Sequence, residues 1–153
     1  MITQWSFPEK RVELSQDQIE QISLFGALDE VQKQILLEGS SLRHCRIGEH
    51  IFDAGDLPSD IYIVLSGRVD LITERMNVHE IQQILKEGDC FGHTAVIGIQ
   101  PQATSAIVSA KEATLLVLPS KLLIDIQQND KELFALLMMN IARDVSRKIH
   151  KQI

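Results

Sequence analysis

Residues 51–71 contain Ile51-Phe52-Asp53-Ala54-Gly55-Asp56, then Ile61-Tyr62-Ile63-Val64-Leu65-Ser66-Gly67, then Arg68-Val69-Asp70-Leu71. An apolar pair stops at a turn of small and acidic residues. An uninterrupted apolar run of strand length follows and ends at Ser-Gly. Val69 and Leu71 then alternate with Arg68 and Asp70, which is the period of a strand with one buried face. Gly55 and Gly67 permit the reversals between these pieces. Strand, turn, buried strand, turn, half-buried strand is the pattern of a small antiparallel β-structure.

The same pattern extends from Leu42 to Leu118, with further strands expected over Val78–Leu85, Ser105–Val108 and Thr114–Leu118. Glycines at 48, 55, 67 and 88 fall at about one per reversal. Strands this short and numerous predict a compact antiparallel barrel or jelly roll, and no βαβ alternation supports a Rossmann-type sheet.

Helices are expected on both flanks. Ser15 and Gln18 form a capping box ahead of a stripe of Ile19, Ile22 and Phe25. A second helix is expected from about Asp29, with Val31, Ile35 and Leu36 inward, stopping near Gly39. Residues 1–14 are read as a tail, with Thr3–Arg11 unstructured as at a natural N-terminus, and 15–153 as one domain. Its parts are helices over 15–39, a β-roll over 40–118 and C-terminal helices over 120–151. After Pro119, Ser120 is expected to cap Lys121–Gln128, and Asn129-Asp130 to cap a long helix over Lys131–Lys151. Leu133, Leu137, Ile141, Val145 and Ile149 recur every four residues, broadened by Leu136 and Met138. Such a helix is about 30 Å long. Part of its stripe is available to a twin in a homodimer or to a partner protein.

The chain has 153 residues, 44% of them hydrophobic and 24% charged, enough for one domain with a core. No apolar run approaches the roughly 20 residues of a membrane span, and the N-terminus lacks a signal-peptide pattern. A cytoplasmic protein is expected. A net charge of −6 opposes phosphate-backbone binding over most of the surface. The basic residues Arg143, Arg147, Lys148 and Lys151 suit the end of a helix dipole. Cys45 and Cys90 sit in no CxxC pattern and are expected to be buried thiols.

A second motif, Gly88-Asp89-Cys90-Phe91-Gly92-His93-Thr94-Ala95-Val96-Ile97, is followed by Pro101-Gln102-Ala103-Thr104-Ser105-Ala106. Together with the 51–67 pattern it resembles the cyclic-nucleotide-binding domain, of the catabolite-activator effector type, over about Leu24 to Ile149. The resemblance implies a mostly β, double-stranded β-helix (a jelly roll, or cupin-like β-roll) with N-terminal helices and a long C-terminal helix. It implies a regulatory ligand sensor, with the phosphate-binding cassette at the second motif. Candidate ligand-binding residues are Phe91, Gly92, His93, Thr94, Ala95, Gln102, Ala103, Thr104 and Ser105.

In the family a Glu after Phe-Gly takes a ribose hydroxyl, and an Arg after the loop pairs with the phosphate. Here the Glu position is His93, and the Arg position falls on Gln102 or, with a shifted loop, on Thr104. No arginine occurs between Arg75 and Arg143. Loss of a bidentate, charge-assisted contact costs on the order of 1.5–3 kcal/mol. The cassette is therefore degenerate, and its ligand is a cyclic nucleotide held in another way, another small anion, or none. His93 is either an imidazole donor to an anion or a residue that has drifted from the ligand role. Gln102, Thr104 and Ser105 are either neutral donors or turn residues.

Other classes fit less well. His44, His50, His79, His93 and His150 form no HxH or HExxH pattern, so no metal site is expected. The sequence has no GxSxG elbow and no Walker A loop, and no enzyme activity is expected. A transcription regulator of the related type would carry a helix-turn-helix after the long helix; residues up to Ile153 contain none, and direct DNA binding is not expected. The main alternative to a sensor is a ligand-independent interaction or dimerisation module using the C-terminal stripe.

Overall fold

The structure, a computed structural model, describes residues 12–151. Its eight strands are β1 (Ser41–Arg46), β2 (His50–Phe52), β3 (Asp60–Ser66), β4 (Val69–Arg75), β5 (Val78–Leu85), β6 (Cys90–Phe91), β7 (Ser105–Val108) and β8 (Glu112–Pro119). The helices are α1 (Gln16–Gln21), α2 (Glu30–Glu38), α3 (His93–Gly98), α4 (Ser120–Asn129) and α5 (Lys131–Lys151). Among these no helix is long and apolar enough to cross a membrane. The strands form two antiparallel sheets of four, ordered β1-β8-β3-β6 and β2-β7-β4-β5. This is the mostly β jelly roll with flanking helices that the strand pattern predicts.

The unbroken apolar run Ile61–Leu65 exists because β3 is buried on both faces. Ile61, Ile63 and Leu65 join a core beneath the helices, together with Leu116 and Leu118 of β8. Tyr62 and Val64 point the other way, into the roll, beside Ala113 and Leu115. The second sheet turns one apolar face inward, contributing Ile51, Val69, Leu85, Ala106 and Val108 to the roll interior. Cys45 lines the roll interior and Cys90 the helical core, so the two thiols face opposite cores, and both are free.

α5 closes the helical core with Leu133, Leu137 and Ile141. Asn140 fastens it: its buried amide donates to the carbonyls of Leu24 (2.9 Å) and Gly26 (2.7 Å). Val145 still packs, partly buried, against this core, and the expected stripe leaves it only at Ile149, which is exposed.

Several local expectations are corrected. α1 ends at Gln21, and Ile22 and Phe25 reach the core from a 3-10 turn, Ser23–Phe25, rather than along one helix. Val31 is 70% exposed; α2 instead buries Gln32, Leu36 and Leu37, with Ile35 partly buried against the core, and Gln32 also closes a capping box with Asp29. Ser120 opens α4 without capping it, the cap position being Pro119; Asp130, as expected, caps α5 through the N–H of Leu133. Asp70, placed outward by alternation, is buried beneath Arg68 and Ser109, both of which donate to it. Of the tail expected over residues 1–14, residues 1–11 (including Thr3–Arg11) lie outside the described residues, and Val12 and Leu14 pack against the helical core.

All five glycines at 48, 55, 67, 88 and 92 have positive φ. At Gly88 the requirement is also steric, since a Cβ would collide with the carbonyl of Gln21, and Gly88 accepts from the N–H of Ser23 (3.2 Å).

Candidate functional site

Strand β6 turns at Gly92 into α3, and this turn organises the candidate cassette. Gly92 has φ +79°, and a Cβ there would lie 2.9 Å from the Asp60 carbonyl and 3.3 Å from Tyr62. Glycine is thus required by the protein's own packing, whatever approaches from outside. Phe91, just before it, is buried and stacks on Tyr62 with ring centroids 5.1 Å apart; Phe52 lies 6.0 Å from Phe91. Three aromatic rings therefore sit at the roll end next to the turn. Burial raises the Tyr62 pKa above its ordinary value, with the nearby Asp60 charge adding to the effect.

His93 departs from the expectation of a ligand donor. Its side chain is 3% exposed, and its Nε2 lies 2.9 Å from Asp144 Oδ2 on α5. Lys148 places its ammonium 2.8 Å from the same oxygen, one helical turn along. The Cys90 thiol donates to it at 3.7 Å and lies 4.0 Å from His93 Nε2. No described protein group bonds to His93 Nδ1. Cys90, His93, Asp144 and Lys148 thus join the cassette to the C-terminal helix.

The electrostatics of this junction follow from burial and pairing. Burial alone would raise the Asp144 pKa, but hydrogen bonds from His93 and Lys148, with the Lys148 charge, bring it down to about 2. Burial pushes the Cys90 thiol up to about 12, reinforced by the adjacent Asp144 charge. Asp144 is therefore an anion and Cys90 a protonated thiol at neutral pH.

The remaining candidates are spread around the turn. Thr94 is exposed and Ala95 is buried. Gln102 is buried, and its backbone is stitched to the β2–β3 loop: its N–H donates to Asp56 and its carbonyl accepts from Gly55, both at 2.8 Å. Ser105 Oγ accepts from the Ala54 N–H at 2.9 Å, so its oxygen serves the fold. Ala103 is exposed and Thr104 half-buried. The structure thus brings the Gln102–Ser105 loop against the Ala54–Asp56 turn and ties His93 to α5. Sequence reasoning missed Asp144 and Lys148. Their i, i+4 spacing beside the apolar stripe is an ordinary surface-pair signal, and nothing in it points to a partner at position 93.

Comparison with known proteins agrees with this fold. Residues 42–130 match the cyclic nucleotide-binding domain family. A cGMP-dependent protein kinase from Plasmodium berghei is 32% identical over 96 residues, which are 63% of this chain and 10% of that protein. The chain spans about a tenth of the length of the curated relatives it matches. Among solved structures, a cyclic nucleotide-binding domain from Methylobacillus flagellatus superposes with a TM-score of 0.79 at 16% identity, covering 88% of this chain and 76% of that one. The catabolite activator protein of Thermus thermophilus gives 0.73 at 23% identity, covering 85% and 59%. With the family's pattern in register over more than half its length, and with the roll, the cassette turn and the trailing helix in place, this chain belongs to the cyclic nucleotide-binding domain family.

Proposed function

We propose that this domain is a cytoplasmic regulatory module that responds to a small anionic ligand through the position of α5, and that it does not hold cyclic nucleotides in the family's usual way. The observation that carries this reading is the fate of His93. It stands where the family places a ribose-binding Glu, yet its ring bonds to Asp144 on α5. The Arg position offers only Gln102 or Thr104. A ligand entering the cassette would meet backbone N–H groups of the first turn of α3 and neutral side chains. It would act by favouring one arrangement of the His93–Asp144 junction over another. The module itself is read as non-catalytic, in keeping with the regulatory domains it resembles.

Calorimetric titration with cyclic AMP and cyclic GMP tests this. The wild type is expected to bind at least one to two decades more weakly than Gln102→Arg or Thr104→Arg, the difference a charge-assisted phosphate contact supplies. His93→Glu is best combined with Asp144→Asn, because a glutamate at 93 would face the Asp144 carboxylate. Micromolar or tighter binding by the wild type would overturn the reading.

A second reading, a ligand-independent docking module, is favoured by the exposure of Met139 (52%) and Ile149 (56%) on α5. It predicts a homodimer, or a complex with a partner helix, that forms without nucleotide. Sedimentation across a concentration series separates it from a monomeric sensor.

A further inference from the structure

We propose that Cys90, His93 and Asp144 form a binding site for one divalent transition-metal ion of the zinc class, clamping the cassette turn to α5. The three side chains offer a sulfur, a nitrogen and an oxygen, all within 4.8 Å of one another. The individual separations are 4.0 Å (Sγ to Nε2), 3.7 Å (Sγ to Oδ2) and 2.9 Å (Nε2 to Oδ2). In a tetrahedral zinc site with metal–ligand bonds of about 2.0–2.3 Å, neighbouring ligand atoms stand about 3.3–3.6 Å apart. The observed edges straddle that range, and shifts of about half an ångström convert one arrangement into the other.

The surroundings fit a cation. Cys90 and His93 are buried and the Asp144 side chain is 14% exposed, so the ligands are largely shielded from water. A positive charge already sits on Asp144, the Lys148 ammonium at 2.8 Å. That side chain is 28% exposed and can swing into solvent when a metal takes its place. Binding releases one proton, from the Cys90 thiol, as the sulfur–metal bond forms. The Nε2 proton moves to Nδ1, which has no hydrogen-bond partner among the described residues, so the resulting buried N–H goes without an acceptor there and sets a cost against the metal bonds. A thiolate, an imidazole and a carboxylate form a borderline-soft set, suited to Zn²⁺ or Co²⁺ and poor for Mg²⁺ or Ca²⁺. The site requires His93 where the family has Glu, and its three ligand side chains are in place without a nucleotide.

The test is a Co²⁺ titration of chelator-stripped protein, followed by absorption, with Zn²⁺ competition and metal analysis after dialysis. The expected result is one Co²⁺ per chain with a thiolate-to-cobalt charge-transfer band, displaced by Zn²⁺ and not by excess Mg²⁺. Cys90→Ser and Asp144→Asn should lose the band, while Lys148→Ala, which removes the competing ammonium, should bind about tenfold more tightly. Lys148→Ala keeps all three ligands, so it tests the site even where the other variants fold poorly. Absence of a thiolate band in both wild type and Lys148→Ala would overturn the proposal. So would stoichiometric binding that survives Asp144→Asn and His93→Gln. Neither result depends on the nucleotide titrations.

Discussion

Gly92 and Tyr62 show how much of the cassette is held by its own packing. Gly92 combines a left-handed backbone with a Cβ direction that meets the Asp60 carbonyl at 2.9 Å. Gly92→Ala is therefore expected to cost about 1–3 kcal/mol in urea denaturation, from backbone strain and displaced neighbours. A larger residue there disrupts the fold before it can report on a ligand. Tyr62 is the only tyrosine, so its ionisation can be followed directly by ultraviolet absorbance. Its folded-state pKa is raised above 10.0 by burial. The stability this contributes is therefore fully present below the unfolded value and is lost as pH rises through the folded one. An alkaline titration should show a midpoint above that of a free tyrosine, moving down to the ordinary value in denaturant. A normal midpoint in the folded protein would contradict the buried aromatic cluster.

At the scale of elements, α5 divides into a stretch packed on the core as far as Val145 and a last turn, with Ile149, that leaves it. Asn140 belongs to the first. Asn140→Ala leaves the carbonyls of Leu24 and Gly26 without their donor, and a loss of about 1–3 kcal/mol is expected in thermal or urea unfolding. Ile149 belongs to the second. Ile149→Ser should change monomer stability by less than about 0.5 kcal/mol. The same substitution should weaken any self-association seen by sedimentation, if the exposed stripe is what associates. A large stability loss at Ile149 with no change in association would move that residue into the monomer's core. The continuous four-residue repeat gave no sign of this division, because periodicity records which face is apolar and not how far the neighbouring sheet and turn extend beneath it.

In the whole molecule, the sheet β1-β8-β3-β6 separates two cores, one inside the roll and one under the helices, and the cassette turn sits where they meet. Phe91 faces the roll and Cys90 the helices, so adjacent residues of β6 report to different cores. This position allows an event at the cassette to reach α5 through His93 and Asp144 without passing through the roll. The nucleotide titration and the cobalt titration both probe this junction, from its ligand side and its helix side.

The β-roll, its flanking helices and the loss of the family's charged anchors were readable from the chain alone. Apolar period and turn chemistry are local: Ile61–Leu65 announces a strand buried on both faces, and the absence of Glu at 93 needs no coordinates to be seen. The direction of the His93 ring was not readable, nor were its partners Asp144 and Lys148, the burial of Asp70, or the rotation of α2 that exposes Val31. Each of these depends on which residues from distant parts of the chain come to lie opposite one another. Fifty residues and three elements, β7, β8 and α4, separate His93 from Asp144, and only tertiary packing brings an imidazole, a thiol, a carboxylate and an ammonium to one point.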